Sequence, residues 1–182
     1  WKDFYTDFAD EDAYLLGVAG SNVDEWLVCS ERLFYSLNPS EIIVHLGFND
    51  IYNEAAYMTA PEIAEKLIRL LSSYHEAFPD AKVYFCSIES SKWSNNYTKS
   101  FTTAPEVNAA VSAFADECDW LGYVNTRYIF CDDEQKVVYT DGDGNADDND
   151  DTGIYGQGSH PSVIAYDEYK KAIDAVRGKS TE

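Results

Sequence analysis

The stretch IIVHLGFNDIY, residues 42–52, begins as an apolar run and ends in small polar residues. Its apolar first half is typical of a strand that is buried on both faces. It then changes to Gly47, Asn49 and Asp50, residue types that favour a tight turn. In open parallel sheets, ligands bind beyond the carboxyl ends of the strands. The stretch therefore indicates either a simple turn or the rim of a binding site.

Apolar runs alternate with helix-period segments on both sides of this stretch. Strands are predicted at 13–19, 41–47, 81–88 and 122–126, with a small edge strand at 136–139. Helices are predicted at 23–37, 60–78, 104–118 and 161–177, and a long polar loop at 89–103. Strands separated by helices favour an α/β fold in which a parallel sheet is covered on both faces. We expect one domain over residues 1–182.

Two of the predicted helices carry recognisable start signals. Asn22 and Glu25 have the spacing of a capping box before the first helix. Thr59 is placed to cap the second, and Pro61 stands in its first turn. The inner stripe of that helix is expected to contain Ile63, Leu67, Leu70, Leu71 and Tyr74.

The acidic excess limits the partners of the chain. Thirteen Lys and Arg stand against 33 Asp and Glu, which gives a formal net charge of −20. Such a field repels polyanions, so we expect neither nucleic acid nor an anionic membrane as a partner. No apolar run reaches the ~18 residues of a membrane-spanning helix. This charge suits a neutral or cationic small molecule.

The start of the chain and its cysteines bear on the compartment. The chain opens with WKDFYTDF, without a methionine or an apolar leader, as a trimmed or mature product would. We expect a secreted or extracellular location, and a cytoplasmic one stays open. The four cysteines lack CxxC spacing, which disfavours zinc. Cys29 and Cys86 are expected to be buried thiols, and Cys118 could form a disulfide with Cys131.

Three short motifs fall where parallel strands should end. They are GVAGSN (17–22), GFND (47–50) and GSHPS (158–162). Each has an ordinary structural interpretation as a helix cap, a turn or a structural histidine. Together they supply a glycine amide, an asparagine carboxamide and an imidazole. Two donors for an oxyanion and one general base are the parts that acyl transfer requires.

The order of these motifs resembles that of the SGNH (GDSL-type) esterase and lipase family, over about residues 13–177. The resemblance implies a flavodoxin-like, three-layer α/β/α sandwich. It also implies that a serine attacks an ester carbonyl. By the same resemblance, Gly20 and Asn49 would hold the oxyanion and His160 would be the base, with no cofactor required. Asp50 would brace the loop rather than react.

The sequence departs from the family pattern at the nucleophile. No Gly-Asp-Ser or Gly-Ser-Ser motif is present, although the resemblance places one before Trp1 on a first strand between those at 13–19 and 41–47. We expect an N-terminal segment or a second polypeptide to complete the sheet, because an empty slot would leave unpaired strand edges. Ser21, at a helix start that favours an alkoxide, is the alternative nucleophile within the chain.

A second departure concerns the acid that orients the histidine. Gln157 stands three residues before His160, where the family usually has Asp. A glutamine oxygen can orient an imidazole but cannot offset its positive charge. Asp150 or Asp151 could supply that charge, or the enzyme could use a Ser-His dyad, or activity could be weak or lost.

The acidic loop at 140–159, before the last helix, suggests calcium. Oxygen-bearing side chains recur there at alternate positions, at Asp141, Asp143, Asn145, Asp147 and Asn149. This spacing resembles the first half of an EF-hand-type loop, and Ca²⁺ takes six to eight oxygen ligands. Ala146 and Thr152 break the pattern, so a solvated acidic loop is the alternative. A bound calcium would be structural.

These observations favour a serine esterase that acts on a small ester. The many aromatic residues and the acidic surface favour an acetylated carbohydrate as substrate. A non-catalytic glycan-binding relative and a calcium-dependent interaction module are the alternatives.

Overall fold

A computed structural model of the chain describes residues 12–52, 58–89, 97–129 and 163–178. Three strands, β1 (Glu41–Val44), β2 (Lys82–Cys86) and β3 (Leu121–Val124), form a parallel sheet in that order. Its register pairs Ile43 with Tyr84, and Tyr84 with Gly122. Parallel pairing requires crossover connections, and helices supply them. The predicted α/β class with a parallel sheet is confirmed.

Five α-helices are described. They are α1 (Val23–Phe34), α2 (Phe48–Tyr52), α3 (Ala60–Ala77), α4 (Tyr97–Ala115) and α5 (Val163–Arg177). Short 3₁₀ turns follow α1 at Tyr35–Leu37 and β3 at Arg127–Ile129. No helix in these described ranges is both long and apolar enough to cross a membrane.

The helices pack on both faces of the sheet, which gives the three layers. One hydrophobic core joins α1, α3 and α4 to a sheet face that carries Val83 and Phe85. The other joins α5 to the opposite face, which carries Tyr84 and Cys86. Successive side chains of a strand point to opposite faces, so β2 contributes to both cores. This arrangement matches the expected α/β/α sandwich.

The helix starts follow the sequence signals. The Asn22 side chain accepts a hydrogen bond from the Glu25 amide at 3.0 Å, and the Glu25 carboxylate accepts one from the Asn22 amide at 2.9 Å. Ahead of α3, the Glu62 carboxylate accepts bonds from the amide and the hydroxyl of Thr59. The predicted inner stripe of α3, from Ile63 to Tyr74, is buried at all five positions.

The strand predicted at 13–19 is wrong. Residues 13–18 have no regular secondary structure and pair with no strand among the described residues. The exposed fractions of Tyr14 and Val18 are 68% and 57%, and Leu15 and Leu16 are also exposed. An apolar run becomes a strand only when a neighbouring strand takes its hydrogen bonds. Here that neighbour is not among the described residues.

Other boundaries differ from the predictions. β1 ends at Val44 instead of residue 47, and the turn at GFND is the short helix α2. The loop predicted at 89–103 is helical from Tyr97, because polar residues hid the helix period there and Pro105, typical of a first turn, lies inside α4. Cys118 is a free thiol, and Cys131, with which it could form a disulfide, lies outside the described residues. The strand predicted at 136–139 lies outside the described residues.

Candidate active site

The turn after β1 requires a glycine. Gly47 has φ of +107°, a backbone conformation that side chains disfavour. A Cβ at this position would lie 2.6 Å from Cδ1 of Ile88, which follows β2. The turn therefore packs against the neighbouring strand end and sends the chain directly into α2. This is the local reason why a buried strand is followed by GFND.

Helix α2 brings Asn49 to the loop that precedes α1. Nδ2 of Asn49 donates a hydrogen bond of 2.9 Å to the carbonyl oxygen of Ser21, 28 residues earlier in the chain. The GVAGSN and GFND motifs thus lie side by side at the carboxyl edge of the sheet. A carboxamide nitrogen carries two hydrogens, so this bond fixes the side chain and leaves a second donor.

Asp50 also holds the loop that precedes α1. Both of its carboxylate oxygens accept from the amide of Val23, the first residue of α1, at 3.2 Å. Asp50 is 1% exposed, and burial raises the pKa of its carboxyl while the hydrogen bond from the Val23 amide lowers it in part. A carboxylate at a helix N-terminus is also favoured by the helix dipole. Asp50 therefore makes a structural contact in the described residues.

The hydroxyl of Ser21 is engaged on both sides. It donates to the carbonyl oxygen of Val18 at 2.8 Å and accepts from the indole nitrogen of Trp26 at 2.8 Å. Ser21 is also buried. A nucleophile must be accessible and must pass its proton to a base. The structure shows Ser21 as a structural residue, which argues against it as the alternative nucleophile.

Gly20 stands at an open part of the loop. Its φ is +77°, and a Cβ added there would meet no atom within 4 Å. Within the described parts of the chain, no hydrogen bond from the Gly20 amide is present. Gly20 is exposed, and an exposed amide without a hydrogen-bond acceptor can bind a developing oxyanion together with a fixed carboxamide. The structure thus brings Gly20 and Asn49 to one loop junction.

The remaining predicted site residues lie outside the described residues. They are His160, Gln157, Asp150 and Asp151, and the calcium set Asp141, Asp143, Asn145, Asp147 and Asn149. Among the residues that are described, no cluster of three His, Cys, Asp or Glu side chains could hold a metal ion.

Sequence reasoning missed a second polar group at the same edge. Nε2 of His45 lies 2.8 Å from Oε2 of Glu89 and 3.3 Å from the hydroxyl of Tyr169. His45 follows β1, Glu89 lies three residues after β2, and Tyr169 belongs to α5. A histidine at the end of an apolar run was a signal. Its two partners are distant in sequence and gave none.

Comparisons with solved structures identify the fold. A protein of Bacteroides fragilis with the provisional description acylhydrolase is 16% identical, with 98% of this chain and 81% of that chain covered and a TM-score of 0.75. A GDSL-like lipase of Bacteroides thetaiotaomicron is 15% identical over 98% and 82%, with a TM-score of 0.70. A catalytic mutant of an acetylxylan esterase of Geobacillus stearothermophilus is 16% identical over 90% and 71%, with a TM-score of 0.66.

These solved structures share the SGNH hydrolase fold, and the chain has that fold. No protein-family model matches the sequence, and no curated protein sequence is significantly similar to it. At such identities the likeness concerns the fold alone, so the chemistry has to be argued from the site.

Proposed function

We propose that the chain is an ester hydrolase of SGNH type. One observation carries the proposal: Asn49 Nδ2 is held 2.9 Å from the carbonyl oxygen of Ser21, the residue that follows the exposed Gly20. A glycine amide and a fixed carboxamide at the carboxyl edge of a parallel sheet form a pair of donors for a tetrahedral oxyanion. The solved structures that share this fold are described as hydrolases, which supports the same reaction class.

In the proposed reaction, a serine hydroxyl adds to the ester carbonyl and passes its proton to His160. The carbonyl oxygen becomes an oxyanion that Gly20 and Asn49 stabilise. The intermediate then expels the alcohol, which takes the proton back from His160, and an acyl-serine remains. Water activated by His160 hydrolyses that acyl group and restores the serine. Gln157, Asp150 or Asp151 would orient the imidazole.

The serine is proposed to come from a strand outside the 182 residues, on an N-terminal segment or a second polypeptide. Two observations support this: the chain contains no Gly-Asp-Ser or Gly-Ser-Ser motif, and the apolar residues at 14–18 are exposed. A strand beside β1 would also pair backbone groups on its outer edge. The coding sequence upstream of Trp1 tests this proposal. A strand that ends in Gly-x-Ser supports it, and its absence favours a second polypeptide or loss of catalysis.

For the substrate, we propose a small acetylated carbohydrate. One neighbouring fold is an acetylxylan esterase, and an acidic protein of net charge −20 can accept a neutral glycan without electrostatic cost. Such substrates would suit a secreted protein. We also propose that the loop at 140–159 binds a structural calcium, because its crowded carboxylates repel each other without a cation.

Hydrolysis of 4-nitrophenyl acetate and of acetylated xylo-oligosaccharides tests the function, with the chain extended by its upstream coding sequence. We expect release of acetate from both substrates, and loss of turnover in His160→Ala. His75→Ala is a control, because His75, in α3, has no role in the proposed reaction. Its ring stacks on that of Trp120, with the ring centroids 4.4 Å apart. Unchanged turnover in His160→Ala would remove His160 from the mechanism. Tight glycan binding without hydrolysis would favour a binding protein.

A further inference from the structure

A buried polar cluster joins three elements at the edge of the sheet where the oxyanion donors lie. It consists of His45 after β1, Glu89 after β2 and Tyr169 in α5. Glu89 is 3% and Tyr169 2% exposed, and the His45 side chain is 12% exposed. The rings of His45 and Tyr169 meet edge to face at 5.3 Å. The proposed reaction uses none of these side chains.

Glu89 belongs to a rigid part of the molecule. The side chain of Asn108, in α4, accepts from the amide of Ile88 and donates to its carbonyl oxygen, each at 2.8 Å. The residue before Glu89 is therefore fixed on both backbone groups. Burial raises the pKa of the Cys86 thiol, and the nearby Glu89 carboxylate raises it further.

His45 attaches the end of β1 to that rigid part. A buried carboxylate is costly unless it is paired, so the contact at 2.8 Å between His45 and Glu89 has a strong reason to persist. Gly47, two residues later, already packs against Ile88. Two contacts therefore hold the segment that leads to Asn49: His45 binds Glu89, and Gly47 packs against Ile88. The hydroxyl of Tyr169, in α5, makes a further contact with the imidazole of His45.

We propose that His45 is a positioning residue for Asn49, held in place by Glu89 and Tyr169. The proposal rests on the proposed ester hydrolysis only for its effect on rate. Oxyanion donors act at full strength only within a narrow geometry. A looser end of β1 would displace Asn49 Nδ2 from its place beside Gly20. The chain would still fold and bind substrate, but it would stabilise the oxyanion less well.

The direct test is the side-chain amide signal of Asn49 in ¹⁵N-¹H spectra, assigned by its absence in Asn49→Ala. We expect this signal to move in Tyr169→Phe, which removes one hydroxyl, and to move further in His45→Asn. Tyr84→Phe is the matched control, because it removes a partly buried hydroxyl on the same sheet face, one that donates a 3.4 Å hydrogen bond to Oε1 of Glu41. The signal should stay in place in that variant. An unmoved Asn49 signal in folded Tyr169→Phe and His45→Asn would overturn the proposal.

Kinetics supply the second measurement, on the extended chain. We expect Tyr169→Phe and His45→Asn to lower kcat for 4-nitrophenyl acetate by ~10-fold with KM within ~2-fold, because transition-state contacts change more than ground-state ones. The double variant should be no slower than His45→Asn, since both changes act through one contact. Additive losses, or a change confined to KM, would contradict the positioning role. If the parent hydrolyses no ester, the proposed function fails, and the Asn49 signal still decides the positioning of that side chain.

Discussion

At the scale of a residue, the hydroxyl of Ser21 makes structural contacts and is not expected to act as the nucleophile. It lies between the Val18 carbonyl and the Trp26 indole, so it stabilises the loop that presents Gly20. We expect Ser21→Ala to lower the free energy of unfolding by about 1–2 kcal/mol, because the buried indole N–H loses its acceptor. Turnover should stay within ~3-fold, because Asn49 binds the backbone carbonyl, which the variant keeps.

Urea unfolding and kcat measured on the same samples check this prediction. Trp26→Phe in both backgrounds measures the coupling between the two side chains, which we expect to account for most of the loss. A variant that loses turnover at unchanged stability would restore Ser21 as the nucleophile.

Asp50 gives a prediction that depends on pH. Burial raises the pKa of its carboxyl above the ordinary value of 3.8. The folded state therefore binds this proton more tightly than the unfolded state. Its stabilising contribution is full below pH 3.8 and is lost as pH rises through the raised pKa. Asp50→Asn does not titrate, so the stability of the parent relative to this variant should fall as pH rises from about 3 to 7.

Urea unfolding across that pH range measures the difference between the two proteins. Asp116→Asn is a control, because Asp116 is an exposed residue that is not among the charges acting on the Asp50 carboxyl. A parent that becomes more stable relative to Asp50→Asn as pH rises would mean that the bonds from Val23 outweigh burial.

At the scale of elements, the turn from β1 to α2 is the most constrained junction. Gly47→Ala adds a Cβ 2.6 Å from Ile88 to the cost of a positive φ. Gly178→Ala, at φ of +72° with open space around it, carries the backbone cost alone. We expect ~1 kcal/mol for Gly178→Ala and ~3 kcal/mol or more for Gly47→Ala.

Chemical denaturation of the two variants measures this difference. Equal costs would show that Ile88 moves aside without penalty, and the close packing between the ends of β1 and β2 would then lose its importance for the site.

The elements also show what the sequence could predict. Periodicity and caps were sufficient for α3, because the Thr59 and Glu62 signals and the stripe from Ile63 to Tyr74 are local. Residues 13–19 were wrongly predicted because a strand depends on its neighbour. In the site, the motifs predicted that the segments of Gly20 and Asn49 lie together, although the strand expected before Gly20 is not formed. It could not give the bond to the Ser21 carbonyl or the contact between His45 and Glu89, since both depend on packing.

At the scale of the whole molecule, charge is the dominant property. A net charge of −20 on 182 residues destabilises the compact state by self-repulsion, and a cation bound by several carboxylates would relieve part of it. We therefore expect Ca²⁺ at ~100 Kd to raise the free energy of unfolding by about 2.7 kcal/mol, seen as a higher Tm that EDTA reverses.

Asp143→Asn with Asp147→Asn should remove most of that effect, whereas Asp116→Asn with Asp119→Asn removes the same charge elsewhere and should keep it. An equal rise in Tm with Ca²⁺ and with Na⁺ at matched ionic strength would indicate screening of a solvated loop.

The molecule as a whole is proposed to work as a hydrolase because one carboxamide is fixed beside one glycine amide. The most direct measurement is kcat for 4-nitrophenyl acetate in Asn49→Ala, made on the extended chain. Asn125→Ala, which removes an exposed carboxamide after β3, is the control. We predict a loss of ~100-fold or more in Asn49→Ala, as expected for a missing oxyanion donor, and parental turnover in the control. Parental turnover in a folded Asn49→Ala variant would contradict the account.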